Sequence, residues 1–71
     1  MLYRLVTRER LSHRVAKVIH SPLPDFQISL AKDIELHSDE FICSVYECEE
    51  IDTPSLRQIY PLNTIQGEND G

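Results

Sequence analysis

Hydrophobic and polar positions alternate most regularly between residues 26 and 36. The large apolar residues of this stretch share one parity, whereas small and polar residues fill most of the other: Phe26, Ile28, Leu30, Ile34 and Leu36. Period two over this length is typical of a strand with one solvated face, so the pattern predicts a strand over 26–36. A helix from Ser29 to Leu36 stays open, because it would place Leu30, Ala31 and Ile34 on one side.

Residues 40–48 have a second strand-like pattern, with apolar side chains on both parities. His37, Ser38 and Asp39 precede it, and Ser and Asp side chains stabilise turns by bonding to the nearby backbone. We therefore predict that 26–36 and 40–48 form an antiparallel hairpin. Residues 2–6 are rich in branched and aromatic side chains, which predicts a further short strand.

Residues 8–20 are the main helix candidate. Leu11, Val15, Val18 and Ile19 fall at i, i+4, i+7 and i+8, which makes one apolar stripe. The alternative is a strand at 14–20, because three of these four residues are β-branched. The two prolines in residues 22–25 predict a connector that is neither helix nor central strand.

A second, short helix is predicted to begin at Asp52 or Thr53, because Pro54 suits a first helical position, and to end before Pro61. The predicted fold class is α+β, with one helix packed on a three-stranded antiparallel sheet. The alternative is a small all-β barrel in which 14–20 is a strand. We expect one compact domain over 1–65 and a flexible tail over 66–71.

Composition narrows the classes of function. The chain has 71 residues, of which 41% are hydrophobic, and its two glycines are Gly67 and Gly71. Without a Gly-rich loop, a phosphate-cradling or dinucleotide site is not expected, and we predict no cofactor.

No stretch is apolar enough for a membrane span, and the apolar run at the start is shorter than a secretory signal requires. We therefore expect a cytoplasmic protein with reduced Cys43 and Cys48.

Charge is distributed unevenly along the chain. Residues 1–20 carry five Lys or Arg against one acid, residues 21–71 carry two against eleven, and the net charge is −5. Between Glu35 and Asp52 there are seven acids and no Lys or Arg. Such an uneven distribution of charge bears on which partners the protein binds and on its solubility.

The acidic run motivates the leading functional hypothesis, a non-enzymatic protein-binding module. It would be a small inhibitor or adaptor that docks on a basic surface of a partner protein, with an aromatic anchor inside a charged rim. The competing interpretation is a solvated face that protects a sheet edge from aggregation. The predicted partner-binding residues are Glu35, Asp39, Glu40, Tyr46, Glu47, Glu49 and Glu50.

Two other functions stay open. A nucleic-acid-binding regulator would contact phosphates through Arg8, Arg10, Arg14 and Lys17, although the acidic net charge counts against it. A structural subunit or homodimer would compensate for the thin core of so small a domain.

Metal binding and catalysis are not expected. His37, Cys43 and Cys48 lack the close pairing of zinc ligands, because the two cysteines are five positions apart and would lie on opposite faces of one strand. Both cysteines also lie within the acidic run, which disfavours the thiolate that nucleophilic catalysis requires.

Overall fold

The computed structural model describes residues 1–61, which form one helix and four antiparallel strands. The elements follow in the order β1 (Leu2–Glu9), β2 (Val15–Ser21), α1 (Pro24–His37), β3 (Phe41–Cys48) and β4 (Ser55–Tyr60). The strands make one open sheet with the order β2-β1-β3-β4. The α+β class is therefore confirmed, but the sheet has four strands rather than three. The predicted tail over 66–71, and residues 62–65 of the predicted domain, lie outside the described residues.

Helix α1 replaces the strand predicted over 26–36, which is wrong. Gln27 and Ala31 are fully buried one turn apart, whereas Phe26 is 51% exposed and Leu36 is 81% exposed. The apolar residues that alternate along the sequence thus belong to a helix, and the centre of its buried face is formed by Gln27 and Ala31. Pro24 belongs to the first turn, where its missing N–H and fixed φ favour the helix, so the predicted connector is too long.

Strand β2 takes up the second half of the segment 8–20 and extends to Ser21, so the helix predicted there is wrong. The alternative strand at 14–20 is confirmed, as its β-branched residues indicated. The barrel that accompanied this alternative is wrong, because α1 is helical and the sheet is open. Leu11, the first member of the predicted apolar stripe, is 94% exposed in the turn before β2.

The turn between β1 and β2 takes five residues because no glycine is available for a tighter one. The amide of His13 donates to the carbonyl of Glu9 at 2.8 Å, and the amide of Glu9 donates to the carbonyl of Arg14 at 2.9 Å. His13 has φ 63, in the left-handed region where a turn usually places glycine or asparagine.

Strands β1 and β3 confirm the strands predicted at 2–6 and 40–48, but they pair with each other. The predicted hairpin between 26–36 and 40–48 is therefore wrong. Strand β4 also replaces the helix predicted from Pro54, since Ile59 and Tyr60 pack against the core from the sheet. Two register irregularities interrupt the pairing of β3 with β4.

The core lies between α1 and one face of the sheet. Leu5 and Val45, which are directly paired on the central strands, are fully buried, and Ala31 approaches them from the helix with Cys43 beside them. The other face of the sheet has no helix over it, and we call it the open face. By register it carries Arg4, Val6 and Arg8 on β1.

Gln27 fixes the helix to the edge of the sheet. Its Nε2 donates to the carbonyl oxygens of Tyr3 on β1 and Ile19 on β2, both at 2.8 Å, and the residue is fully buried. A buried amide is therefore stabilised by backbone acceptors on two neighbouring strands.

We predict that Gln27→Ala lowers the free energy of unfolding by about 1–3 kcal/mol, because two buried hydrogen bonds are lost. Urea denaturation followed by circular dichroism measures the change. Gln58→Ala is the control, because Gln58 is exposed on β4, and a surface change of this kind costs at most about 0.5 kcal/mol. Equal effects of the two substitutions would contradict this role for Gln27.

Candidate protein-binding cleft

The structure does not gather the predicted acidic residues onto one surface. Asp39 and Glu40 lie in the turn between α1 and β3, whereas Glu49 and Glu50 lie in the turn between β3 and β4. These turns are at opposite ends of β3, whose eight residues span roughly 26 Å at the usual rise per residue. The two acidic pairs therefore lie at opposite ends of β3.

Glu35 is part of the fold. Its Oε2 accepts the backbone amide of Cys43 at 2.9 Å, and its Oε1 accepts the hydroxyl of Tyr60 at 2.6 Å. The pairing of β4 with β3 stops at Val45, so the carboxylate satisfies the next free amide of β3. The hydrogen bond to Glu35, helped by burial, raises the pKa of Tyr60 to about 12.

Tyr46 and Glu47 point to opposite faces of the sheet, as successive residues of a strand do. Glu47 accepts two hydrogen bonds from Arg57 on β4, at 2.8 Å and 3.2 Å, and this contact raises the pKa of Arg57. Tyr46 lies on the open face, paired with Arg4. The predicted aromatic anchor is thus separated from the acids that were expected to surround it.

The predicted phosphate-binding residues lie on the β1–β2 hairpin rather than on a helix. Arg8 is on the open face, where its Nη1 donates to the carbonyl of His13 at 3.2 Å. Lys17 pairs with Thr7 on the side of the sheet that α1 covers. Arg14 is exposed in the turn. Nucleic-acid binding through these residues stays a prediction, and they do not share one face.

Arg4 ties three parts of the open face together, a role that the sequence analysis missed. Its Nε donates to Nε2 of His20 at 3.1 Å, and its Nη1 donates to the hydroxyl of Ser55 at 3.2 Å. Its Nη2 donates to the carbonyls of Ile51 and Thr53, at 2.8 Å and 2.7 Å. The β3–β4 turn is thereby held against the sheet by one guanidinium, whose five donors in a fixed fork suit several acceptors at once.

Arg10 joins the two turns at the other end of the molecule. Its backbone amide donates to the carbonyl of Glu40 at 2.8 Å, and its Nε donates to the carbonyl of Asp39 at 2.8 Å. The β1–β2 turn therefore keeps a fixed position beside the α1–β3 turn. Between them is a cleft of about 460 Å³, lined by Glu9, Arg10, Leu11, Ser12, Asp39, Glu40 and Phe41.

The lining of this cleft combines apolar side chains with an excess of negative charge. Leu11 is 94% exposed and Phe41 is half-buried. The lining includes three acidic residues, Glu9, Asp39 and Glu40, and one basic residue, Arg10. An apolar surface beside carboxylates suits a lysine or arginine side chain, which buries its aliphatic stem and leaves its charged end near the acids. In this cleft, the predicted acidic residues Asp39 and Glu40 line the same surface as the exposed Leu11.

The two cysteines lie on opposite faces of the sheet, as the sequence predicted. Cys43 is under α1 and pairs with Thr7, whereas Cys48 pairs with Leu2 toward the open face. Burial raises the pKa of the Cys43 thiol, and the nearby Glu35 adds to the increase although a hydrogen bond with Thr7 opposes it. Within residues 1–61, no three His, Cys, Asp or Glu side chains are placed to hold a metal ion.

Comparison with known proteins gives no match to this chain among protein-family models, curated proteins or solved structures. Helix α1 has 14 residues, and no helix within 1–61 is long and apolar enough to cross a membrane. The cleft and the strands themselves are therefore the basis for a proposal about function.

The Tyr60–Glu35 hydrogen bond predicts a loss of stability in alkaline solution. The folded-state pKa of Tyr60 is about 12, against an ordinary value of 10.0. The stabilisation is therefore complete below about pH 10, and it is lost as the pH rises through the folded-state value. We expect the free energy of unfolding to fall between about pH 9.5 and pH 12 more steeply in the wild type than in Tyr60→Phe.

Urea denaturation across this range measures the two slopes, and the ultraviolet absorbance of phenolate follows the ionisation directly. Tyr46→Phe, which leaves the Glu35 contact in place, should keep the wild-type slope. If Tyr60→Phe also keeps it, the hydrogen bond does not produce the pH dependence.

Proposed function

We propose that this chain is a non-enzymatic protein-binding module that docks a lysine- or arginine-bearing segment of a partner protein in the cleft between its β1–β2 and α1–β3 turns. The observation that carries the proposal is the juxtaposition of the exposed Leu11 with Glu9, Asp39 and Glu40. A role as a small inhibitor or adaptor follows, because a domain of this size acts by occupying a surface of a larger molecule. The expectation of a cytoplasmic location is kept with this proposal.

The charge of the cleft supports a basic partner. Three acids against one arginine leave a local excess of two negative charges, which has the same sign as the net charge of the whole chain. The long-range field and the local site then attract the same kind of ligand, which speeds association and weakens with salt. The proposal thus retains Asp39 and Glu40 from the acidic run and adds Glu9 from the basic segment.

The rigidity of the cleft supports a preformed site. The two backbone and side-chain hydrogen bonds of Arg10 fix the turns relative to each other. Binding then costs little ordering of the backbone, and a preorganised site gains affinity for that reason. Arg10 itself serves to hold the cleft, since its Nε is committed to the carbonyl of Asp39.

We predict that Asp39→Lys/Glu40→Lys weakens capture of the partner at least about tenfold, because attraction becomes repulsion at the rim. The matched control is Glu49→Lys/Glu50→Lys, which makes the same change of charge in the β3–β4 turn. The immobilised variants are exposed to a lysate of the source organism, and the captured proteins are quantified by mass spectrometry. Proteins that the control retains and the cleft variant loses support the proposal, whereas equal retention by both variants overturns it.

A photo-crosslinking amino acid at Leu11 locates the contact independently. The control position is Leu36, which is 81% exposed on α1. A basic partner should crosslink through position 11 and not through position 36. Crosslinks of equal yield at both positions would mean that the cleft is not the docking site.

A further inference from the structure

The outer edge of β2 is one of the two edges of the sheet. Strand β2 is first in the order β2-β1-β3-β4, so one side of its backbone pairs with β1 and the other side has no strand beside it within residues 1–61. Its first four residues are exposed, and Val15 and Val18 are 51% and 45% exposed. Unpaired N–H and C=O groups along such an edge are a template for another strand.

The residues that present those groups follow from the contacts of Gln27. Its amide bridges the carbonyls of Tyr3 and Ile19, so the carbonyl of Ile19 points toward β1. Backbone groups alternate in direction along an antiparallel strand. Val18 and His20 therefore point their N–H and C=O groups outward, away from β1.

The opposite edge of the sheet, β4, is protected by its geometry. Two register irregularities interrupt its pairing with β3, and irregularities of this kind twist an edge away from neighbours. Strand β2 has one irregularity, at its start, and its one charged residue is Lys17. The two edges thus differ in how readily they accept a strand.

We propose that β2 pairs with β2 of a second copy of this chain, antiparallel about a two-fold axis through Val18, to form a continuous eight-stranded sheet. In this register the segment from Lys17 to Ile19 of one copy pairs with the same segment of the other, and the irregularity at the start of β2 lies outside it. Lys17 lies opposite Ile19 of the second copy rather than opposite another lysine, which avoids the cost of like charges in a cross-strand pair. The apolar Val18, which is 45% exposed, then lies opposite its own copy, and this match together with the placement of the one charge favours a second copy as the occupant.

The symmetry of this pairing keeps both helices on the same side of the sheet. The two open faces then become one surface, in which Val6 and Val18 of each copy are continuous with those of the other. The clefts lie at the turns that precede β2, away from the axis. The dimer therefore adds to the proposed function without depending on it.

The test exploits the fact that residue 18 faces itself across the axis. Sedimentation velocity of the full chain at several concentrations should give twice 8.2 kDa as the concentration rises. Val18→Asp and Val18→Lys should each give a monomer, because each places two like charges opposite one another. An equimolar mixture of the two variants should restore the dimer, since the opposite charges now pair.

Leu56→Asp and Leu56→Lys are the matched controls, because Leu56 is 55% exposed on β4, and both should remain dimeric. Circular dichroism verifies that every variant is folded, and Val18→Thr, which keeps a β-branched side chain, should also remain dimeric. A wild type that is monomeric at all concentrations overturns the proposal. Dimers that survive both Val18 variants, or a mixture that fails to reassociate, overturn it as well.

Discussion

One helix can cover only one face of a four-stranded sheet, and the rest of this structure follows from that limit. The main core cluster lies in the layer between α1 and the sheet, where Leu5, Ala31 and Val45 are fully buried. On the β2 side the helix bonds to backbone carbonyls of β1 and β2 through Gln27, and Ile19 of β2 packs against the core there. A thin core of this kind leaves little excess stability, so polar contacts such as Gln27 and Glu35 matter to the fold.

The charge asymmetry of the sequence takes a different meaning in three dimensions. Arg4 and Arg10 both donate their hydrogen bonds to backbone carbonyls or neutral side chains. Each arginine thereby joins two turns or strands that are distant in sequence. Glu35 and Glu47 are likewise engaged within the sheet and the helix. The long-range field of an acidic protein remains, and the docking site that we propose lies where Asp39 and Glu40 meet the β1–β2 turn.

The residue pattern was sufficient to predict the fold class and the strands β1 and β3. The branched and aromatic side chains of these two segments favour a strand, and no helical periodicity competes with it. The pattern failed at α1 because the apolar residues of 26–36 satisfy both periods, and the buried positions that decide between them are Gln27 and Ala31, which hydrophobicity does not mark. At β2 the helical stripe and the β-branched residues gave opposite indications, and the tertiary context favoured the strand. The cleft needed the fold, since Glu9 and Asp39 are brought together by the turns of separate elements, and no local spacing encodes that approach.

The two cysteine thiols are buried on different faces of the sheet. Cys43 is buried on the side of the sheet that α1 covers, whereas Cys48 is fully buried beside the β3–β4 turn, which the guanidinium of Arg4 holds against the sheet. Openings of different extent have different free energies within one protein. Alkylation of Cys48 would therefore report local opening of the β3–β4 turn, and alkylation of Cys43 would report global unfolding of the domain. The native chain thus carries two thiol probes, one for local and one for global opening.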